Sequence, residues 1–191
     1  MYQVRQQRIA TKSMALCGMF TALIAVGAFL QVPVPYMDYF TLQFFFVLLA
    51  GLVLGGRGGA ISAFCYVLLG LIGIPVFAAG GGIAYILRPS FGYLLGFIGT
   101  AYVTGTLCSR MKKKYWNYLL ACLAGLVVTY TIGIIYKYMI LNLYIGTPTP
   151  LAVILLSCFP LDMPGDFCLC LIAAGAGVRF RRSGLCADSK R

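Results

Sequence analysis

The chain contains no glutamate and no histidine, and its four acidic residues, Asp38, Asp162, Asp166 and Asp188, are all aspartates. Only 10% of its 191 residues are charged, against about a quarter in an ordinary soluble domain. These shortages exclude much chemistry. Without His or Glu, general acid–base catalysis lacks its commonest groups. No GK[ST] phosphate loop is present, so the chain does not power a pump by its own ATPase. There is no Ser/His/Asp set and no run of acids for a proton relay. The eight cysteines (17, 65, 108, 122, 158, 168, 170 and 186) are scattered and form no CxxC pair. That spacing gives no reason to expect a metal or a disulfide framework. Seven of them lie in or beside apolar runs, where a thiol behaves as a small hydrophobe. The expectation is a protein that is not an enzyme and carries no cofactor.

What is abundant is apolar surface: 61% of the residues are hydrophobic, with a mean hydropathy of +0.93. A formal net charge of +11 could suit nucleic acid, but the cations sit in short clusters between long apolar runs. That pattern belongs to a membrane protein in contact with the lipid bilayer, not to a nucleic-acid binder. Six segments emerge, at about Ser13–Leu30, Thr41–Leu54, Ala60–Ile74, Phe91–Ser109, Tyr115–Leu143 and Pro164–Phe180. An apolar piece, Leu151–Phe159, precedes the last. Their ends fall at prolines and glycines such as Pro33, Pro35, Gly55–Gly59 and Pro75, which stop or loosen a helix. The first segment is long for a signal peptide and no small-residue cleavage site follows it, so it reads as a retained span. The predicted fold is therefore an all-α integral membrane protein with six transmembrane helices. A single domain is expected over 1–183, with a cytoplasmic tail over 184–191.

The charges predict the orientation. Arg5, Arg8 and Lys12 precede the first span, and Arg57 lies between the second and third. Arg110, Lys112, Lys113 and Lys114 lie between the fourth and fifth. Arg179, Arg181, Arg182, Lys190 and Arg191 follow the sixth. With six spans, these thirteen of the fifteen cations share one side. Positive residues favour the cytoplasm, so both termini are expected there. Arg88 and Lys137 are left on the outer side. The second and third spans are short for a bilayer, so the Gly/Pro-rich outer loop beside them is expected to fold back and cap a pocket.

Several outer-side residues are candidates for ligand contact, each with a plainer reading beside it. Gly80, Gly81 and Gly82 allow close backbone approach to a ligand, or simply make a flexible loop. Arg88 offers a carboxylate a fork of donors, or snorkels to headgroups. Lys137 is placed more readily as a snorkelling residue than as a ligand contact. Asp166, after Pro164-Gly165, is either an acid favoured at a helix N-terminus or an ionisable group kept at membrane depth for function. Asp162, a turn earlier, is expected at the surface. Gln43 supplies a neutral hydrogen-bonding group. Tyr36, Tyr39, Tyr85 and Tyr93 form an outer aromatic set that also fits an interfacial belt. In the first span, Gly18 and Ala22 are four apart, a spacing that serves internal packing or the docking of another membrane protein.

The chain resembles the biotin-specific substrate-binding (S) components of energy-coupling factor transporters, the BioY family. The residues that carry the resemblance are FTLQ with FVLLAGLVLGGRGGA (40–60), YVLLGLIGIPVFAAGGG (66–82), RPSFGYLLGF (88–97) and PGD (164–166). The resemblance implies a bacterial plasma-membrane protein of six helices that binds biotin near the outer face. It implies partnership with a transmembrane coupling protein and two cytoplasmic ATPases. By the same resemblance, Asp166 hydrogen-bonds the ligand, and Gly18 and Ala22 contact the coupling protein. Two positions depart from the family pattern. Leu169 stands where a Lys is usual, and Phe91 stands where a Gly is usual, narrowing whatever it faces. Arg88 or Lys137 then becomes a candidate to replace the missing cation near the ligand carboxylate. The departures keep open an S component for another vitamin or a biotin precursor. A stand-alone facilitator or secondary transporter is the other alternative.

Overall fold

The structure is a computed structural model that describes residues 2–32, 40–112, 114–146, 148–158 and 162–182. Tyr36, Tyr39, Pro33, Pro35, Lys113, Cys186 and the 184–191 tail lie outside the described residues. Among the described residues, six α-helices carry nearly all of the fold: α1 (Tyr2–Phe29), α2 (Gln43–Leu71), α3 (Phe91–Arg110), α4 (Tyr115–Met139), α5 (Leu151–Cys158) and α6 (Asp162–Arg182). A two-residue antiparallel ladder, β1 (Gln31–Val32) with β2 (Phe40–Thr41), joins α1 to α2. Among the described residues, five helices are long and apolar enough to cross a membrane, α4 continuing through a π-helical turn to Tyr144.

The second and third segments of the sequence reading are two arms of α2. The element turns at Gly55, whose φ of 77° and ψ of 175° are not helical. Only glycine adopts that backbone without strain. The turn folds the element back on itself, because Gln43 near one end hydrogen-bonds Tyr66 near the other at 2.5 Å. A straight helix would hold those residues about 34 Å apart. The arms pack closely: a Cβ on Gly59 would sit 2.8 Å from the Gly51 backbone. The same crowding joins α2 to α3, where a Cβ on Gly51 would meet the Ala101 carbonyl oxygen at 2.6 Å. Small residues let helices approach in lipid, where burying apolar side chains gives little drive.

α2 and α3 form the centre, with α1 against α2 and with α4 and α6 closing the other side. The buried core runs through Ile24, Val47, Leu48, Ala63, Ala101, Cys122, Cys170 and Ala173. Polar groups inside are satisfied locally. Thr21 donates to the Ser62 carbonyl at 3.1 Å, and the Thr100 hydroxyl bonds both Thr129 and the Gly125 carbonyl.

The packing sorts the two ends of the molecule. At one end Cys17 touches Gly58, Gly56 abuts Tyr102 and Thr106, and Gly177 packs on Leu52 and Tyr118. Those contacts gather the chain around Arg57, Arg110, Lys112, Lys114 and Arg179. Gln43, Tyr66, Arg88, Lys137 and Asp166 belong to the opposite end.

Candidate functional site

The segment between α2 and α3 is folded tightly, so the plain flexible-loop reading of the glycine run is corrected. Phe77 is 1% exposed and sits against Gly70, where any Cβ would overlap its ring. Gly70 accepts a bond from the Gly82 amide at 2.7 Å, and Phe77 and Gly80 exchange backbone bonds at 2.9 and 3.1 Å. Gly80 and Gly82 both adopt φ of 107°, which is why glycine is needed there. Gly81 is packed against the Ile74 and Gly70 carbonyls. None of the three glycines lines the cavity below; Ala78 and Ala79 of the same loop do. A 3₁₀ turn, Ile83–Leu87, then presents Tyr85. Tyr66, Phe77 and Tyr85 pack ring to ring at 5.5 and 4.5 Å, and the Arg88 guanidinium stands 5.2 Å from the Tyr85 ring.

Under this cap lies a cavity of about 130 Å³. Its apolar walls come from Phe44, Leu94 and Phe97, with Tyr93 and Tyr85 beside them. Gln43, Arg88, Tyr93, Lys137 and Asp166, all expected to touch a ligand, reach it, and so does Tyr85 of the outer aromatic set. They come from α2, the cap, α3, α4 and α6, so the site exists only when the helices are assembled.

Asp166 is half-buried on the first turns of α6 and accepts a hydrogen bond from the Tyr130 hydroxyl at 2.9 Å. Tyr130 packs edge-on against Tyr93 at 5.9 Å. This pair fixes the carboxylate and leaves it acceptor capacity, because an ionised Asp has about four lone-pair sites. Asp162 is half-buried and lines the same cavity, so its expected surface position is corrected. The reason is helical spacing: α6 begins at Asp162, and residues four apart share a face.

Gln43 is 4% exposed. Its amide donates to the Tyr66 hydroxyl and accepts from the Thr41 hydroxyl at 3.2 Å, while Tyr66 donates to the Val76 carbonyl at 3.1 Å. It therefore ties β2, both arms of α2 and the cap together at the cavity wall. Lys137 is half-buried and donates to the Ser157 hydroxyl of α5 at 3.3 Å, so it is anchored within the protein. Arg88 is exposed at the rim. Phe91, expected to narrow the site, packs against Tyr136 at 5.8 Å and does not line the cavity. Leu169 lies in the core and does not line it either.

Tyr130, Thr129, Phe44 and Phe97 also line the cavity and were not expected there. A tyrosine or threonine within an apolar helix gives no sign of facing a cavity. The pair Thr129-Tyr130 in the middle of α4 was the one available signal. On the outer face of α1, Gly18 and Ala22 are exposed and line an apolar groove against the second arm of α2, with Ile61, Cys65 and Leu69 opposite.

The fold and the cavity define a multi-pass membrane protein that can enclose a small amphipathic molecule between its helix bundle and an ordered cap. Apolar walls bury such a molecule, and a few converging polar groups orient it. The sequence profile of the BioY family matches residues 3–184, and the chain belongs to that family. It is 41% identical over 168 residues to the probable biotin transporter BioY of Lysinibacillus sphaericus, spanning 86% of this chain and 84% of that protein. It is 43% identical over 129 residues to the biotin transporter BioY of Thermotoga maritima, spanning 67% of this chain and 73% of that one. The crystal structure of the S component for biotin from an ECF-type ABC transporter superposes with a TM-score of 0.81. That match has 25% identity and covers 92% of this chain and 93% of that one.

Proposed function

We infer that this chain is a biotin-binding S component that serves biotin uptake and performs no catalysis. The observation that carries this reading is the cavity itself. A carboxylate held by a tyrosine lies among aromatic walls, with Arg88 and Lys137 also lining it. Biotin presents the complementary groups. Its ureido ring has two N–H donors for Asp166, its bicyclic body is apolar, and its tail ends in an anion. Gln43 and Tyr93 add to the polar lining, and the glycines at 80–82 shape the cap. Calorimetric titration of the detergent-purified protein with biotin tests the reading. Tight one-to-one binding is expected, and a folded protein that gives no binding would overturn it.

In this reading the protein crosses a bacterial plasma membrane six times, as a single domain over 1–183 with a tail over 184–191. The two arms of α2 count as separate spans, which the fold-back at Gly55 supports. The basic end faces the cytoplasm, by the preference of Lys and Arg for that side. The cavity then opens outward beneath its cap. Energy comes from outside the chain, through a transmembrane coupling protein and two ATPases.

Gly18 and Ala22 form the proposed docking stripe for the coupling protein, on an exposed helix face that lets another helix approach. Gly18→Leu with Ala22→Leu is expected to leave biotin affinity unchanged and to stop co-purification with the coupling module. Loss of biotin binding in that variant, or undiminished co-purification, would count against the assignment. A facilitator acting alone would carry biotin into liposomes without the ATPases, and no such flux is expected.

A further inference from the structure

The inference drawn here deepens the biotin reading and rests on it. Lys137 and Tyr130 lie seven residues apart on α4. Two helical turns return to nearly the same face and rise about 10 Å. Both residues line the cavity. α4 thus carries, on one face, the group that holds the Asp166 acceptor and, two turns along, a cation. Each marks one end of an elongated ligand. Arg88, the other cation, is exposed at the rim and already stands over the Tyr85 ring.

The Lys137 ammonium donates to the hydroxyl oxygen of Ser157, and that hydroxyl spends its proton on the Ile154 carbonyl at 2.7 Å. Ser157 therefore offers the ammonium a neutral lone pair. A carboxylate adds the attraction of an opposite charge, which a neutral hydroxyl does not supply. α5 is a short helix that buries Ile154 and exposes Leu151, Val153, Leu155 and Leu156. Its Ser157 thus supplies an acceptor that a ligand anion can replace.

We propose that Lys137 is the residue that selects ligands by their anionic tail, with Ser157 occupying its ammonium until the ligand carboxylate displaces it. The spacing along α4 sets the tail length that is read. A ligand whose carboxylate lies about two helical turns from its ureido ring reaches both groups. One with a neutral tail loses the second.

The test is titration of wild type, Lys137→Met, Lys137→Arg, Ser157→Ala and Arg88→Met with biotin and with biotinamide, whose tail is uncharged. Wild type is expected to prefer biotin by roughly ten- to hundredfold. Lys137→Met should bring biotin down to the biotinamide level and change biotinamide affinity little. Lys137→Arg should keep the preference. Ser157→Ala should raise the preference by about threefold, because one competing acceptor for the ammonium is removed. A Lys137→Met protein that weakens both ligands equally has lost structure rather than selectivity, and overturns the proposal. So does loss of the preference in Arg88→Met with retention in Lys137→Met. Should Lys137→Met not fold, Ser157→Ala decides, and an unchanged preference there overturns the proposal. A wild type that binds both ligands equally overturns this inference and leaves the biotin reading standing. A wild type that binds neither overturns both.

Discussion

Asp166→Ala is expected to lower biotin affinity at least a hundredfold while the protein remains folded. The carboxylate is the acceptor at the cavity end where Tyr130 donates at 2.9 Å. A hydrogen bond to a charged group contributes about 1.5–3 kcal/mol, and two ureido N–H groups would share this acceptor. Losing about 3 kcal/mol is already more than a hundredfold in affinity. The alanine also leaves both ligand donors buried without a partner, which adds their desolvation to the loss. Asp166→Asn keeps a carbonyl acceptor but not the charge, so it should fall between wild type and alanine. Calorimetric titration measures all three. A thermal midpoint near wild type separates a binding defect from an unfolded protein. Unchanged affinity in the alanine variant would remove Asp166 from the site.

Gly105→Val is expected to prevent stable folding. A Cβ at Gly105 would overlap the Gly56 amide nitrogen, the Gly51 carbonyl oxygen and the Gly55 carbonyl carbon. All three atoms are backbone, and they lie around the fold-back of α2. Ordinary overpacking costs about 1–3 kcal/mol because side chains can shift. Here α2 and α3 would have to separate, so the cost should exceed that range. A fall in melting temperature of roughly 10 °C or more follows for a chain of this size, or loss of monodisperse protein. Gly18→Val is the control, since nothing lies within 4 Å of the position a Cβ would take. It should leave the melting temperature close to wild type. Equal melting temperatures for the two variants would show that the α2–α3 approach is not limiting.

How far the site was legible depended on whether a residue broke the pattern around it. Asp166 and Lys137 did, because an ion costs energy inside an apolar run and stands out against it. Arg88 and Gln43 stood out for the same reason at segment ends. Tyr130 did not, because a tyrosine fits an apolar helix whether it faces lipid, core or cavity. Asp162 was misplaced because helix onset decides its face, and α6 begins two residues before the expected Pro164. The glycines at 80–82 were candidates for close ligand approach or for a flexible loop, and they do not line the cavity. Their task, closing turns and admitting the Ile74 carbonyl, depends on partners that sequence spacing does not name.

The sequence by itself determined that apolar helices of membrane-spanning length dominate this chain, and approximately where they end. Those properties follow from local composition: runs of apolar residues, with prolines and glycines at their ends. The tertiary structure alone decided which polar groups meet. Gln43 finds Tyr66 because Gly55 reverses the helix between them. Asp166 finds Tyr130 because α6 packs on α4. Lys137 is held inward because α5 folds over it. Each meeting joins residues distant along the chain, and the small residues that let the helices close set the distance.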